Sequence, residues 1–441
     1  MMEQRDGRKD LERDALLAFL SDLVRIPSVK SAALPQAPFG EATVQALQLF
    51  LNRAEEDGFR VGNVDNYAGY LEFGPENAEM VAAICHLDVV PAGDWKEAFK
   101  PRIADGRIIG RGTADDKGPA VAVYFALLRL LHSGESYPRR LRLILGLDEE
   151  SGSACMRRYR ETEELPRYAF TADADFPVIH AEKGLLHFAF RFPRQTQGNA
   201  ARLLAIQAGD RANVVPASCV LRYQTQTGDV RTIEAAGKAA HAAQPQDGVN
   251  AIQEAVRSLA GTGEDAVFQH EAFLRFLRDH AADCRGEALG VACQDAESGA
   301  LTFNAAAASQ DGDDWRLLCD IRYPVTLNGE KLIEKLRNIA ETAGGRLECI
   351  AHSPALYFPK DHPLVAALLK VYAEISGSAA EPLAIGGGTY ARSIPNTVAF
   401  GSVFPGEIVH MHETGEASDI GNLLRSVDYY EAALKALAYL S

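Results

Sequence analysis

His86-x-Asp88, Asp115 beside Asp116, Glu149 beside Glu150, Asp173 and the late pair His410-x-His412 are the residues whose types and spacing could do chemistry. A lone His-x-Asp ordinarily reads as a strand end with a hydrogen-bonded imidazole. The set reads differently, because carboxylates packed together repel one another unless cations neutralise them. Histidine mixed with carboxylates suits Zn2+, Co2+ or Mn2+, whereas an all-oxygen cage suits Ca2+ or Mg2+. On an extended chain His410 and His412 face the same way, so either could be a ligand. Other chemistries lack their patterns: there is no H-E-x-x-H, no G-x-S-x-G and no P-loop. The stretch "GGGTYAR" lacks the spacing of a dinucleotide site.

Such a set needs elements to position it. The near-continuous apolar runs at 80–85 and 143–147 suit central strands buried on both faces of a sheet. His86 and Asp88 follow the first run, Glu149 and Glu150 the second, and Asp173 follows a third at 168–172. All stand at the C-terminal ends of expected strands, the edge where open α/β sheets gather ligands. Helical spacing covers 10–26, 41–56, 121–131 and 363–375, so the order is β-α-β and the fold class α/β, with a mixed, largely parallel sheet flanked by helices. From about 184 strand-like runs such as "LLHFAFRF" and "ASCVLRYQTQ" alternate with helical patterns near 249–260, 268–281 and 329–342. That texture predicts an α+β domain of two similar βαβ-like halves at 184–355, inserted into a discontinuous domain of 1–183 and 356–441. The chain after 375 carries β and turn signals.

The 441 residues suffice for two or three domains, and their net charge of −15 argues against nucleic acid or an anionic membrane as partner. Seven scattered cysteines with no C-x-x-C read as reduced thiols, hence a cytoplasmic setting. The charged start "MMEQRDGRKDLERD" is no secretory signal, and no apolar run approaches the length of a membrane span.

In order along the chain stand "HLDVVPAGDW" (86–95), "GRGTADDKGP" (110–119), "LDEESGS" (147–153), "DADFPVIHAEKG" (173–184), "GKAAHAAQPQDGVNAI" (237–252), "DIRYP" (320–324), "GGGTYAR" (386–392) and "FPGEIVHMHETGE" (404–416). Together they resemble the M20 metallopeptidases, most closely the PepV-type dipeptidases, over most of the chain. The resemblance implies a dinuclear-metal exopeptidase fold and two divalent ions per chain, Zn2+ first, with Mn2+ or Co2+ as alternatives. It implies that His86, Asp115 and Asp173 hold one ion, and that Asp115, Glu150 and His412 hold the other. Asp115 would bridge them, a role open to a carboxylate because it has two oxygens. His412 is preferred over His410 because Glu416 follows it by four residues, although "HETGE" departs from the usual H-Q-x-N-E.

By the same resemblance Asp88 would accept the second ring N–H of His86, and Glu149 would be the general base toward a water bridging the ions. On a strand end the neighbours Glu149 and Glu150 would point opposite ways. His241 would stabilise the oxyanion. Asn213 and Arg322 would bind the polar end of a small peptide, Arg322 through its planar fork. Thr389 and Arg392 are further candidate binders. Asp116 would be the variable member of its pair, near the positive end of the following helix, and the Asp115–Asp116 bond would be cis. The insert would act as a lid, implying a monomer. The activity implied is dipeptide hydrolysis, with N-acyl-amino-acid deacylation or carboxypeptidase action as the alternative.

Overall fold

Met80–His86 and Arg140–Gly146 are buried at every position. Valine, isoleucine and leucine without polar alternation leave such strands no solvent face, so they occupy the middle of a sheet. They pair in parallel. Tyr168–Thr171 and Thr397–Ala399 extend the parallel run beyond Met80–His86. On the other side Ala68–Phe73 and Arg60–Val64 add antiparallel. The sheet is mixed with a parallel centre. Helices Lys117–His132 and Ile420–Tyr439 pack together and against the two central strands, while Glu41–Glu56 covers the antiparallel edge.

The computed structural model describes residues 2–195 and 201–441. The chain divides into two units, each with its own apolar core. One holds the sheet just described and comprises residues to His180, Phe358–Leu383 and Gly388–Ser441. The other is Ala181–Tyr357 with Ala384–Gly387. Seven of its strands form one sheet in which every neighbouring pair is antiparallel, and Asp314–Tyr323 and Arg346–Ser353, either side of the helix Gly329–Thr342, flank the same strand Gly184–Pro193. Two blocks of strands meet in it at a single backbone pair, Ala208 with Ala308.

Two helix readings change. The expected helix at 268–281 is two, Asp265–His270 and Ala272–His280, because Glu271 is extended and its buried carboxylate accepts the Leu203 N–H at 3.1 Å. The C-terminal segment is a helix, Ile420–Tyr439, where β and turn signals were read. Asp419 caps it by accepting the Asn422 N–H at 2.9 Å. Ile420, Leu423, Val427, Tyr430, Leu434 and Leu437 form its buried stripe. Among the described residues no helix is long and apolar enough to cross a membrane.

Candidate metal centre

His86 closes its strand with the ring fully buried. Its Nδ1–H donates to the main-chain carbonyl of Asp88 at 2.9 Å. A carbonyl can only accept, so Nδ1 carries a proton whether or not the ring is charged, and Nε2 is the nitrogen presented to the cluster. That Nε2 stands 2.8 Å from Asp115 Oδ1 and 3.9 Å from Asp173 Oδ2. His412 approaches the other side of the same carboxylate, with Nε2 2.7 Å from Asp115 Oδ2 and 3.1 Å from Glu150 Oε1. Each oxygen of Asp115 therefore faces a different histidine. His410 is exposed and pairs with Glu413 at 3.0 Å. Its side chain makes no approach to Asp115 comparable to that of His412.

Donor atoms of His86, Glu149 and Asp173 lie within 4.8 Å of one another, as do those of His86, Asp115 and Glu150. Either group could hold a metal ion. Electrostatics favours cations here. Burial pushes the Glu149 carboxyl up to about 8 and Asp173 well above the usual carboxylate range. Burial also opposes ionisation of Asp115, yet hydrogen bonds from His412 and His86 hold it well below that range. Asp115 and Glu150 push His412 up to about 10. Neighbouring carboxylates add to the rises at Glu149 and Asp173 and cause that at His412, and a divalent cation would relieve the same repulsion. The donor set, imidazole with carboxylates, fits Zn2+, Mn2+ or Co2+.

Asp88 does more than the role expected of it. Its carboxylate oxygen lies 3.5 Å from His86 Nδ1, and its main-chain carbonyl is nearer to that nitrogen, at 2.9 Å. The carboxylate also accepts the N–H of Glu149 at 3.1 Å and that of Glu150 at 3.2 Å. Those two glutamates lie in a turn beyond the strand Arg140–Gly146 rather than in extended chain, so strand alternation does not set their directions. Asp148 holds the turn from the other side. Its Oδ1 accepts from Lys30 Nζ at 2.7 Å and Ser151 Oγ at 2.6 Å, and its Oδ2 from the Ala154 N–H at 3.0 Å.

The Asp115–Asp116 bond is cis. Asp116 begins the helix Lys117–His132 but makes no side-chain cap bond. It is fully buried, and its Oδ2 accepts the His86 N–H at 3.0 Å. It steadies the His86 main chain instead of the helix end. Lys117, also buried, donates to the carbonyls of Leu23 at 2.9 Å and Ile26 at 2.8 Å. Glu416, fully buried, accepts main-chain N–H groups of the loop that carries Asp115.

Thr389 accepts the Ala391 N–H at 3.1 Å and caps a short 3-10 turn, Tyr390–Arg392. In that loop Tyr390 is the residue that reaches the centre. Its ring stands edge-on to His86 at 6.2 Å, over Gly146, where a Cβ would meet the Tyr390 hydroxyl at 2.1 Å. Asn213, His241 and Arg322 belong to the other unit. The Asn213 carbonyl accepts the Ala242 N–H at 2.9 Å, and His241 Nδ1 accepts the Ala243 N–H at 3.2 Å, so these two candidates share one loop pair. The Arg322 fork is turned to Asp320, with Nε 3.0 Å and Nη2 3.2 Å from its oxygens, and Nη1 donates to the Gly386 carbonyl at 2.6 Å. The carboxylate-binding face expected of Arg322 thus already holds a carboxylate of its own chain.

Residues 82–436 match Peptidase family M20/M25/M40. The "Putative dipeptidase YtjP" of Bacillus subtilis (strain 168) is 35% identical over 463 residues, covering 98% of each chain. The structure of human carnosine dipeptidase 1 superposes with a TM-score of 0.62 at 14% identity, covering 99% of both chains. That of the aminoacylhistidine dipeptidase from Vibrio alginolyticus gives 0.61 at 17% identity, covering 96% of each. The structural likeness shows a shared fold. The family match and the full-length relative show more: this chain is a hydrolase that belongs to peptidase family M20/M25/M40.

Proposed function

We propose that this protein is a dinuclear metal-dependent dipeptidase. The carrying observation is that the two oxygens of Asp115 face two different histidines, His86 and His412, at 2.8 and 2.7 Å. One carboxylate so placed can serve two ions, with Asp173 completing the His86 side and Glu150 the His412 side. Ions bound there would polarise the scissile carbonyl and lower the pKa of the attacking water. Zn2+ is the first candidate, and the donor set supports Mn2+ and Co2+ as well.

Glu149 is the general base in this reading. It is not needed to complete the bridged set, and Asp88 fixes its main chain at 3.1 Å. Burial pushes its carboxyl upward, while cations at the centre would pull it back down, so a carboxylate there can take a proton from the attacking water and return it to the departing amine. His241 would donate to the developing oxyanion and Asn213 would bind the polar end of the substrate. The relative named as a dipeptidase supports a substrate with a free amino end. The scattered cysteines support a reducing compartment such as the cytoplasm.

The test is a panel of free dipeptides and N-acetyl amino acids offered to protein stripped with a chelator and reloaded with Zn2+, Mn2+ or Co2+. Hydrolysis of free dipeptides that returns with metal supports the proposal. Turnover confined to N-acetyl substrates would replace it with a deacylase.

A further inference from the structure

Glu416 follows His412 by four residues and lies some three hundred residues from Asp115 in sequence, yet its carboxylate is built into the Asp115 loop. Oε1 accepts the N–H of Gly112 at 2.9 Å, of Ala114 at 3.0 Å and of Asp115 at 3.3 Å. Oε2 accepts from Arg111 Nη1 at 2.7 Å. The Glu416 carbonyl accepts the Gly110 N–H at 3.0 Å. Ala417–Asp419 then pairs with Arg107–Ile109, and Ser418 Oγ donates to the Thr113 carbonyl at 2.6 Å. Both charged partners are nearly inaccessible, Arg111 at 2% and Glu416 at 0% exposure.

A buried carboxylate is stable only where donors meet it, and here they come from the Arg111 side chain and the main chain of 112, 114 and 115, in the loop that ends in Asp115. On the other side, His412 sits at φ 65°, a left-handed conformation that a histidine keeps only when its neighbours hold the chain. The segment that holds it runs directly into Glu416.

We propose that Glu416, braced by Arg111, is a positioning residue that sets the spacing between Asp115 and His412. Glu416 touches neither substrate nor the ligand atoms. It fixes the main chain on the Asp115 side of the 2.7 Å approach between Asp115 Oδ2 and His412 Nε2, and anchors the chain four residues beyond His412 on the other. This rests on the dinuclear reading above.

The experiment titrates metal-stripped wild type, E416Q, E416D and S418A with Zn2+ or Mn2+ alone by calorimetry, with circular dichroism and thermal melts as the folding control. Wild type is expected to take up two ions. E416Q is isosteric but sets an amide donor among donors, and the more weakly held ion should lose about 10–100-fold in affinity. E416D restores the charge and should recover part of that loss. With a dipeptide substrate, kcat should fall in E416Q while KM holds, and should return as free metal is raised.

A folded E416Q that binds two ions at wild-type affinity overturns the proposal. If E416Q does not fold, S418A decides: losing one neutral hydrogen bond should weaken the same ion by about threefold, and unchanged binding overturns the proposal. Wild type that binds fewer than two ions defeats the dinuclear reading itself, a different and distinguishable failure.

Discussion

Replacing Asp88 by asparagine separates two jobs that the sequence alone merges. If the Asp88 carboxylate orients the His86 ring, the variant weakens metal binding, by about 10–100-fold for a partner of a ligating histidine. In the structure that ring is held by the Asp88 main-chain carbonyl at 2.9 Å, which the substitution leaves in place. The carboxylate carries the N–H groups of Glu149 and Glu150 at 3.1 and 3.2 Å. Asparagine keeps one acceptor oxygen and turns an amide donor toward the other N–H. One charge-assisted bond is lost and the second becomes neutral. At about 1.5–3 kcal/mol for the first and about 1 kcal/mol for the downgrade, the turn loses about 2.5–4 kcal/mol of restraint. Expressed wholly in the placement of Glu149, that is about a 70- to 900-fold fall in kcat. The assay pairs steady-state kinetics on a dipeptide with calorimetric metal titration of the same preparations. Metal affinity within about threefold of wild type beside a fall in kcat of this size supports the geometry. The reverse pattern, metal affinity lost and kcat restored by excess metal, would refute it.

Further outcomes follow from the same contacts. E149Q should keep both ions and lose about 10²–10⁴-fold in kcat, read by metal analysis beside kinetics; retained turnover would remove Glu149 as the base. H412A should bind one ion where wild type binds two and H410A should behave as wild type, because His410 is exposed and paired with Glu413; a metal titration of both reads this directly. Away from the centre, Glu72 is buried among Arg142, Arg140 and Arg60, with Arg142 Nη2 at 2.7 Å. Burial raises its carboxyl, but Arg142 and the other arginines outweigh it, so the net shift is below the ordinary 4.5. A depressed carboxyl stabilises above its unfolded pKa and loses that contribution as pH falls through the folded value. E72A should therefore cost about 3–5 kcal/mol at pH 7, and urea unfolding should show the gap to wild type narrowing below about pH 4.5. A gap that does not depend on pH would leave only packing as the cause.

The parts legible in the sequence were those written locally. Apolar runs that end in a polar residue located the strands of the central sheet, and His86, Asp115, Glu150 and His412 meet where those strands end. What escaped was long-range. The resemblance places Asp88 beside the His86 ring but says nothing of its carboxylate's bonds to a turn some sixty residues away. Glu416 served only as a marker for His412, because nothing near it in sequence reveals that main-chain donors at 112–115 will surround it. Tyr390 stands over Gly146 beside His86, a placement that nothing near it in sequence announces. The C-terminal helix was missed although Asp419 and Asn422 announce its start and its apolar stripe has helical spacing. In the inserted unit the alanine run 305–308 lies in the strand Thr302–Asp311, where pairing with its neighbours outweighs weak intrinsic β preference.

The most direct test of the central claim titrates metal-stripped protein with Zn2+ while following hydrolysis of a free dipeptide and its N-acetylated form. The account predicts that activity on the free dipeptide rises to a plateau at two ions per chain, and that N-acetylation abolishes it. A plateau at one ion, or equal or faster cleavage of the N-acetylated form, would contradict it.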